Sequence, residues 1–152
     1  MWATSVVRHF DPIQQKEDPT LNKKVWTSDL SVGVAALDEQ HKQLLSIINE
    51  LIDHEDETIH SETVSSAFGR LISYTRQHFA LEEEVMRTHA FPGFNEHRAR
   101  HIAFTENLID MMLGFDKMTM QNLIEFLVDW FDNHIRHDDQ DYAEFFARSS
   151  QS

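Results

Sequence analysis

The chain has 152 residues and no cysteine, and its 26 acidic against 13 basic side chains give a formal charge of −13. That length suffices for one domain with a real apolar core. The charge argues against nucleic acid or an anionic membrane surface as a partner, and the missing cysteine excludes disulfides, iron–sulfur clusters, thiolate zinc sites and cysteine nucleophiles. Any metal must therefore be held by His, Asp and Glu. Ten histidines are roughly three times ordinary usage at this length and form neither tag nor tract. Where they fall decides what the chain can do.

Residues 1–25 read as an extended arm with apolar anchors at Val6, Val7 and Phe10, and the folded part begins at Trp26. The start, Met1 to Phe10, lacks a basic segment followed by an apolar run and a small-residue cleavage site, so no signal peptide is expected. No apolar run is long enough to span a bilayer, and a cytoplasmic protein is the expectation. Glycine and proline act as punctuation at Gly33, Pro92-Gly93 and Gly114, and four stretches of helical periodicity lie between them. The first, about Ala36 to His54, aligns Leu37, His41, Leu44, Ile48 and Leu51 on one face. The second, about Ser61 to His89 with Ser61 as N-cap, aligns Val64, Phe68, Leu71, Thr75, His78, Glu82 and Val85 or Met86. The third, about Asn95 to Leu113, turns His97, His101, Phe104, Leu108 and Met111 or Met112 inward, with Gly114 ending it. The fourth begins near Thr119 and continues through Leu123, Leu127, Trp130 and His134. Four helices of similar length joined by short loops predict an all-α, up-down-up-down four-helix bundle over residues 26–148, followed by a polar tail at 149–152.

A lone histidine on an apolar face is ordinarily a satisfied core residue, but here every helix brings one or two inward. His78 and Glu82 are four apart and project from one surface, and His97 and His101 repeat that spacing on the next helix. His41 stands within the first apolar stripe. Asp139 follows His134 by five residues, about 140° around an ideal helix, so either the helix widens there or it ends and lets Asp139 turn back. Burying these polar side chains uncompensated would cost several kcal/mol each, which makes sense only around cations. Imidazole suits iron, and a carboxylate can bridge two metals. Seven protein ligands also leave room for a bridging oxygen and one small exogenous ligand.

At these residues the chain resembles the hemerythrin family, specifically its bacterial members. The matching pattern is the His41 segment Leu37-Asp38-Glu39-Gln40-His41-Lys42-Gln43-Leu44, then H-x-x-x-E at 78–82, H-x-x-x-H at 97–101 and H-x-x-x-x-D at 134–139. Trp26, Val32-Gly33-Val34, Phe91-Pro92-Gly93 and Trp130 also look like the family, so the likeness covers about residues 26–146. Any one motif is weak; all four in order are specific. The resemblance implies one iron bound by His97, His101 and His134 and a second bound by His41 and His78. Glu82 and Asp139 would bridge them together with an oxo or hydroxo group, and dioxygen would bind reversibly at the two-histidine iron. Such a protein is a carrier, store or sensor of oxygen rather than an enzyme, and a covalently linked signalling output domain is expected if the chain is a fragment. The five-residue spacing of the last motif is the family's own. One departure stands out: Phe131 occupies a position, three before His134, that is commonly leucine and lies over the oxygen pocket.

A di-iron oxidase or peroxidase-type enzyme and an iron-handling protein are the alternatives. The ferritin-like class needs two E-x-x-H pairs, and the chain has one, Glu57 to His60, at an expected loop. H-E-x-x-H, the zinc-protease signature, is absent. His9, His54, His60, His89 and His137 fall off the pattern and are expected on the surface or in loops. Asp138 and His137 flank ligands and are candidates for supporting contacts, whereas the other members of the acidic runs are expected to be solvated. Tyr142 is expected either to hydrogen-bond near the site or to pack at the bundle end. Trp26 and Trp130 are expected to be packing anchors.

Overall fold

A computed structural model describes residues 22–58, 60–114 and 120–151, and the regular structure among them is helical throughout. A 3₁₀ turn at Ser28–Leu30 leads into α1 (Ala35–Asp53), α2 (Glu62–Thr88), α3 (Phe94–Leu113) and α4 (Met120–Trp130). A π-helical segment (Phe131–Asp138) then runs without a break into α5 (Asp139–Ser149). Because α4, the π segment and α5 form one continuous rod, the architecture is the expected all-α four-helix bundle. α1 lies against α2 and α4, and α2 lies against α3. The expected helix limits hold to within about one residue, the usual fraying of helix ends. The start near Thr119 and the arm anchors Val6, Val7 and Phe10 fall outside the described residues.

Local chemistry explains the boundaries. Before α1, Gly33 takes a positive φ of 75°, and Asp38 reaches back to accept the Val32 N–H at 2.8 Å and the Ser31 hydroxyl at 2.6 Å. The Trp26-to-Asp38 stretch is thereby folded onto the helix start, and Asn49 fastens it further along α1 through a reciprocal pair with the Lys24 backbone, 2.8 Å each way. Ser61 caps α2 as expected, accepting the Val64 N–H. At the other end of α2 the Phe91 N–H reaches the Met86 carbonyl and the Ala90 N–H reaches that of Arg87, with Ala90 at φ 52°. This is a Schellman close carried by alanine where glycine would be unstrained. Gly114 sits at the end of α3 with φ −96°, so the left-handed closing conformation that a glycine there suggests does not occur.

The interior has two apolar clusters. The larger joins Leu44, Ile48 and Leu51 of α1 to Val64, Phe68 and Leu71 of α2, Phe104 and Leu108 of α3, and Leu123 and Leu127 of α4. The smaller joins Val32, Leu37, Met86, Tyr142 and Phe146. Of the paired expectations, Met86 is the buried member and Val85 is only half-buried, while Met111 and Met112 are both half-buried. Trp130, expected on the inner face, is half-buried at the edge of the larger cluster. Along α1, α2 and the last rod, one stretch between the two clusters belongs to neither. It carries His41, then His78 and Glu82, then Asp139. No helix among the described residues is long and apolar enough to cross a membrane.

Candidate metal centre

All seven expected ligand positions lie in that stretch, and none is more than 2% exposed. α1 contributes His41, α2 contributes His78 and Glu82 one turn apart, α3 contributes His97 and His101 one turn apart, the π segment contributes His134, and α5 contributes Asp139. The five-residue step from His134 to Asp139 is resolved by the first of the two sequence alternatives: the helix widens. The Asp139 N–H bonds to the His134 carbonyl, a π-type bond that brings positions five apart towards one face. Without that widening Asp139 would point away from the histidines.

The ring Nε2 atoms converge on the carboxylates. Glu82 places Oε2 2.8 Å from His78 and Oε1 3.0 Å from His97. Asp139 places Oδ2 3.1 Å from His41, and Oδ1 3.1 Å from His97 and 3.0 Å from His134. Two tight groups result, Glu82 with His97, His101 and His134, and His41 and His78 with Glu82 and Asp139, each with ligand atoms within 4.8 Å of one another. Glu82 belongs to both. Several buried atoms here have no hydrogen bond: Glu82 Oε2, both Asp139 oxygens and His41 Nδ1. Oxygens this close to ring nitrogens yet without a donor directed at them are what a shared cation would satisfy. The donor set fits metal ions of the imidazole-and-carboxylate class.

The outer ring nitrogens are held from behind. His78 Nδ1 donates to Gln40 Oε1 at 2.8 Å, His101 Nδ1 to Glu83 Oε1 at 3.0 Å, and His134 Nδ1 to Asp138 Oδ2 at 3.1 Å. A proton on Nδ1 leaves Nε2 as the lone pair facing inward, and the carboxylates make the rings more basic. Arg98 and Arg100 in turn pair with Glu83 and Asp138 at the surface, at 3.5 and 3.3 Å. Asp138 thus makes a supporting contact that its neighbour His137, which is exposed, does not. Glu83, expected to be solvated, is instead half-buried against His101. Gln40 carried no sequence signal beyond its place beside His41. Aromatic rings fill the remaining flanks: Phe79 stacks on His101 at 3.8 Å, Trp130 on His134 at 3.9 Å and Tyr74 on His78 at 5.1 Å.

The electrostatics show how strained this arrangement is without a cation. Burial and the Asp139 charge push Glu82 up, yet the charge of His78, 2.8 Å away, and the hydrogen bond of His97 bring it down to about 2. Burial would lower His97, but the facing Asp139 and Glu82 carboxylates, 3.1 and 3.0 Å from its Nε2, raise it to about 9. His134 is likewise raised to about 9, against burial, by the charge of Asp139 and by the hydrogen bond its Nδ1–H donates to Asp138. For His101 burial wins, reinforced by the neighbouring His134 and His97, and its value falls to about 3.

Phe131 is buried, 1% exposed, in the larger apolar cluster. Trp26, half-buried, packs against the same cluster with the Lys42 ammonium 5.4 Å from its ring centre. Tyr142 is fully buried in the smaller cluster; its ring lies 5.5 Å from that of His97, and its hydroxyl makes no hydrogen bond. It packs in the smaller cluster, close enough to the centre that burial and the charges of Asp139 and Glu82 together raise its hydroxyl well above the ordinary value. Among the off-pattern histidines, His60, His89 and His137 are exposed and His54 is half-buried, while His9 lies outside the described residues. Glu57 and His60, the one E-x-x-H pair, are both exposed in the α1–α2 connection and contribute nothing to the buried centre.

Comparison with known proteins matches residues 32–146 to the hemerythrin HHE cation binding domain. The chain is 33% identical over 138 residues to a bacteriohemerythrin of Stenotrophomonas maltophilia, covering 84% of this chain and 89% of that protein. It is 30% identical over 127 residues to a bacteriohemerythrin of Pseudomonas aeruginosa, covering 82% of each. A hemerythrin-like protein of Naegleria gruberi is 28% identical over 117 residues, covering 77% of this chain and 88% of that one.

Proposed function

The chain belongs to the hemerythrin HHE cation-binding family, and from that premise we propose that it binds dioxygen reversibly at a pair of iron ions. His97, His101 and His134 would hold one ion, His41 and His78 the other, with Glu82 and Asp139 between them. The observation that carries the reading is the division of seven buried side chains into a three-histidine and a two-histidine group that share Glu82. An oxo- or hydroxo-bridged iron pair would supply the two electrons that dioxygen binding requires. The chain's own residues do the rest. Gln40, Glu83 and Asp138 orient the rings, and the two apolar clusters exclude bulk water from the site, which would shield a bound metal pair from side reactions. A set of five imidazoles and two carboxylates favours reversible binding over the high-valent chemistry of carboxylate-rich oxidases, so the protein is read as a carrier, store or sensor.

The test is to load the protein with iron, reduce it anaerobically, admit oxygen and follow the visible and near-ultraviolet spectrum. Two irons per chain and repeated cycles of oxygenation and release are expected. Immediate irreversible oxidation would point to a redox sensor, and a colourless protein with one zinc would defeat the reading. Phe131 is assigned to the oxygen pocket. Phe131→Leu is expected to change the oxygen dissociation rate or the autoxidation rate several-fold, and identical stopped-flow traces for both would remove that role.

A further inference from the structure

Two phenols reach the polar centre, and they differ in what surrounds them. Tyr142 stands against His97, on the three-histidine side, within an apolar cluster. Tyr74 lies one turn before His78 on α2, so the two side chains run inward together. Its ring is stacked on the His78 imidazole, 5.1 Å between centres and 13° between planes. The residue is 7% exposed, and its hydroxyl is buried with no hydrogen-bond partner. A buried hydroxyl left without a partner is costly, and phenylalanine, which fills the same role at Phe68 in this helix, would avoid that cost. Burial, with the charges of Glu82 and Asp139, raises the Tyr74 hydroxyl well above its ordinary value, yet it bonds to neither carboxylate. Tyr74 also lines a cleft of about 500 Å³ between α1 and α2, whose other walls include Gln43, Ser46, Ser73 and Gln77. The ring therefore separates a polar, open cleft from the two-histidine group.

We propose that the Tyr74 hydroxyl donates a hydrogen bond to a small anion bound on the two-histidine side of the centre, and that this bond sets the affinity for such anions. The inference rests on the metal-pair reading above. Of the two histidine groups, the one beside Tyr74 brings fewer ring nitrogens and so leaves more room for a ligand from outside the protein. An anion there presents the acceptor that the hydroxyl lacks, and hydrogen bonds to charged acceptors are the stronger kind. Tyr74 is thus a specificity residue acting on the ligand, whereas His78 beneath it acts on the metal.

Sodium azide is a suitable probe, because it is a small anion with no proton of its own. The iron-loaded, oxidised protein and its Tyr74→Phe variant are titrated with azide and followed by absorbance, with iron per chain measured for both. The expected result is unchanged iron content with azide bound about tenfold more weakly in the variant. In the unmodified protein the vibrational frequency of bound azide should shift between H2O and D2O, and that shift should vanish in Tyr74→Phe. Equal affinities, or an unmodified protein whose azide frequency ignores D2O, would overturn the inference while leaving the metal pair intact. The D2O measurement needs no variant, so an azide frequency that ignores D2O overturns the inference even if Tyr74→Phe takes up iron poorly. An iron-loaded protein that binds no azide at all would defeat both the inference and the reading beneath it.

Discussion

From Leu44 to Ile52, α1 buries only hydrocarbon towards the larger cluster, while one turn earlier His41 is just as thoroughly buried. The same contrast recurs along α2, where Val64, Phe68 and Leu71 give way to His78 and Glu82. In the apolar half, burial and close packing stabilise the fold with no further condition. In the polar half, burial opposes every charge, and the arrangement depends on protons or cations brought in from solvent. One half of the interior is complete in the chain itself, and the other is a request for a ligand.

The comparison breaks most sharply under a cavity. Leu51→Ala removes a side chain that is 1% exposed in the larger cluster and should cost about 2–5 kcal/mol. Urea unfolding should show that loss equally with and without bound metal, because the cavity lies away from the centre.

A smaller and conditional effect is expected from pH. His97 and His134 have folded values of about 9 against an ordinary 6.5, so their stabilisation is fully present below pH 6.5 and lost as pH rises through 9. Glu82, lowered to about 2 from 4.5, contributes stability above pH 4.5 that is lost as pH falls towards 2. His101, lowered to about 3, opposes folding increasingly as pH drops from 6.5 to 3. The metal-free protein should therefore be most stable near pH 6.5 and weaken towards pH 9. A metal pair bound as proposed would displace the protons on His97 and His134, so loading should release protons and abolish the decline on the alkaline side. Urea midpoints at pH 6.5 and 9, with and without metal, test this; a parallel decline in both states would count against it.

The smallest change separates stability from binding. His101 is neutral at pH 7, and His101→Leu replaces a desolvated imidazole by hydrocarbon beside Phe79. The metal-free protein should change by no more than about 1 kcal/mol, in either direction. The added stability that metal confers should fall markedly, as read from the shift of the unfolding midpoint on loading.

The four helices were legible from the spacing of apolar residues alone, since a helix is a local object whose buried face repeats every three or four positions. The pairs at 78–82 and 97–101 were legible for the same reason. His134 and Asp139 were named through the family resemblance, but their five-residue step left open whether the helix widens or ends, and only the π form between Phe131 and Asp138 decided it. Glu83 looked like one more solvated acid in a run of three, and only the approach of α3 turned it towards His101. Nothing along the chain distinguished Gln40 from its polar neighbours, or Tyr74 from an ordinary core aromatic.

By itself, then, the sequence determined the helices, their inner faces, and which histidines and carboxylates those faces carry. These follow from residue chemistry and from a repeat that spans one or two turns. The tertiary structure decided which groups meet: Glu82 shared between two sets of histidines, Nδ1 protons directed to Gln40, Glu83 and Asp138, and a phenol left without a partner beside His78. Except for Asp138, one turn from His134, and Tyr74, one turn from His78, those groups lie on different helices or well apart in the chain. Their meeting depends on how the helices are rotated and spaced against one another, which no local pattern encodes.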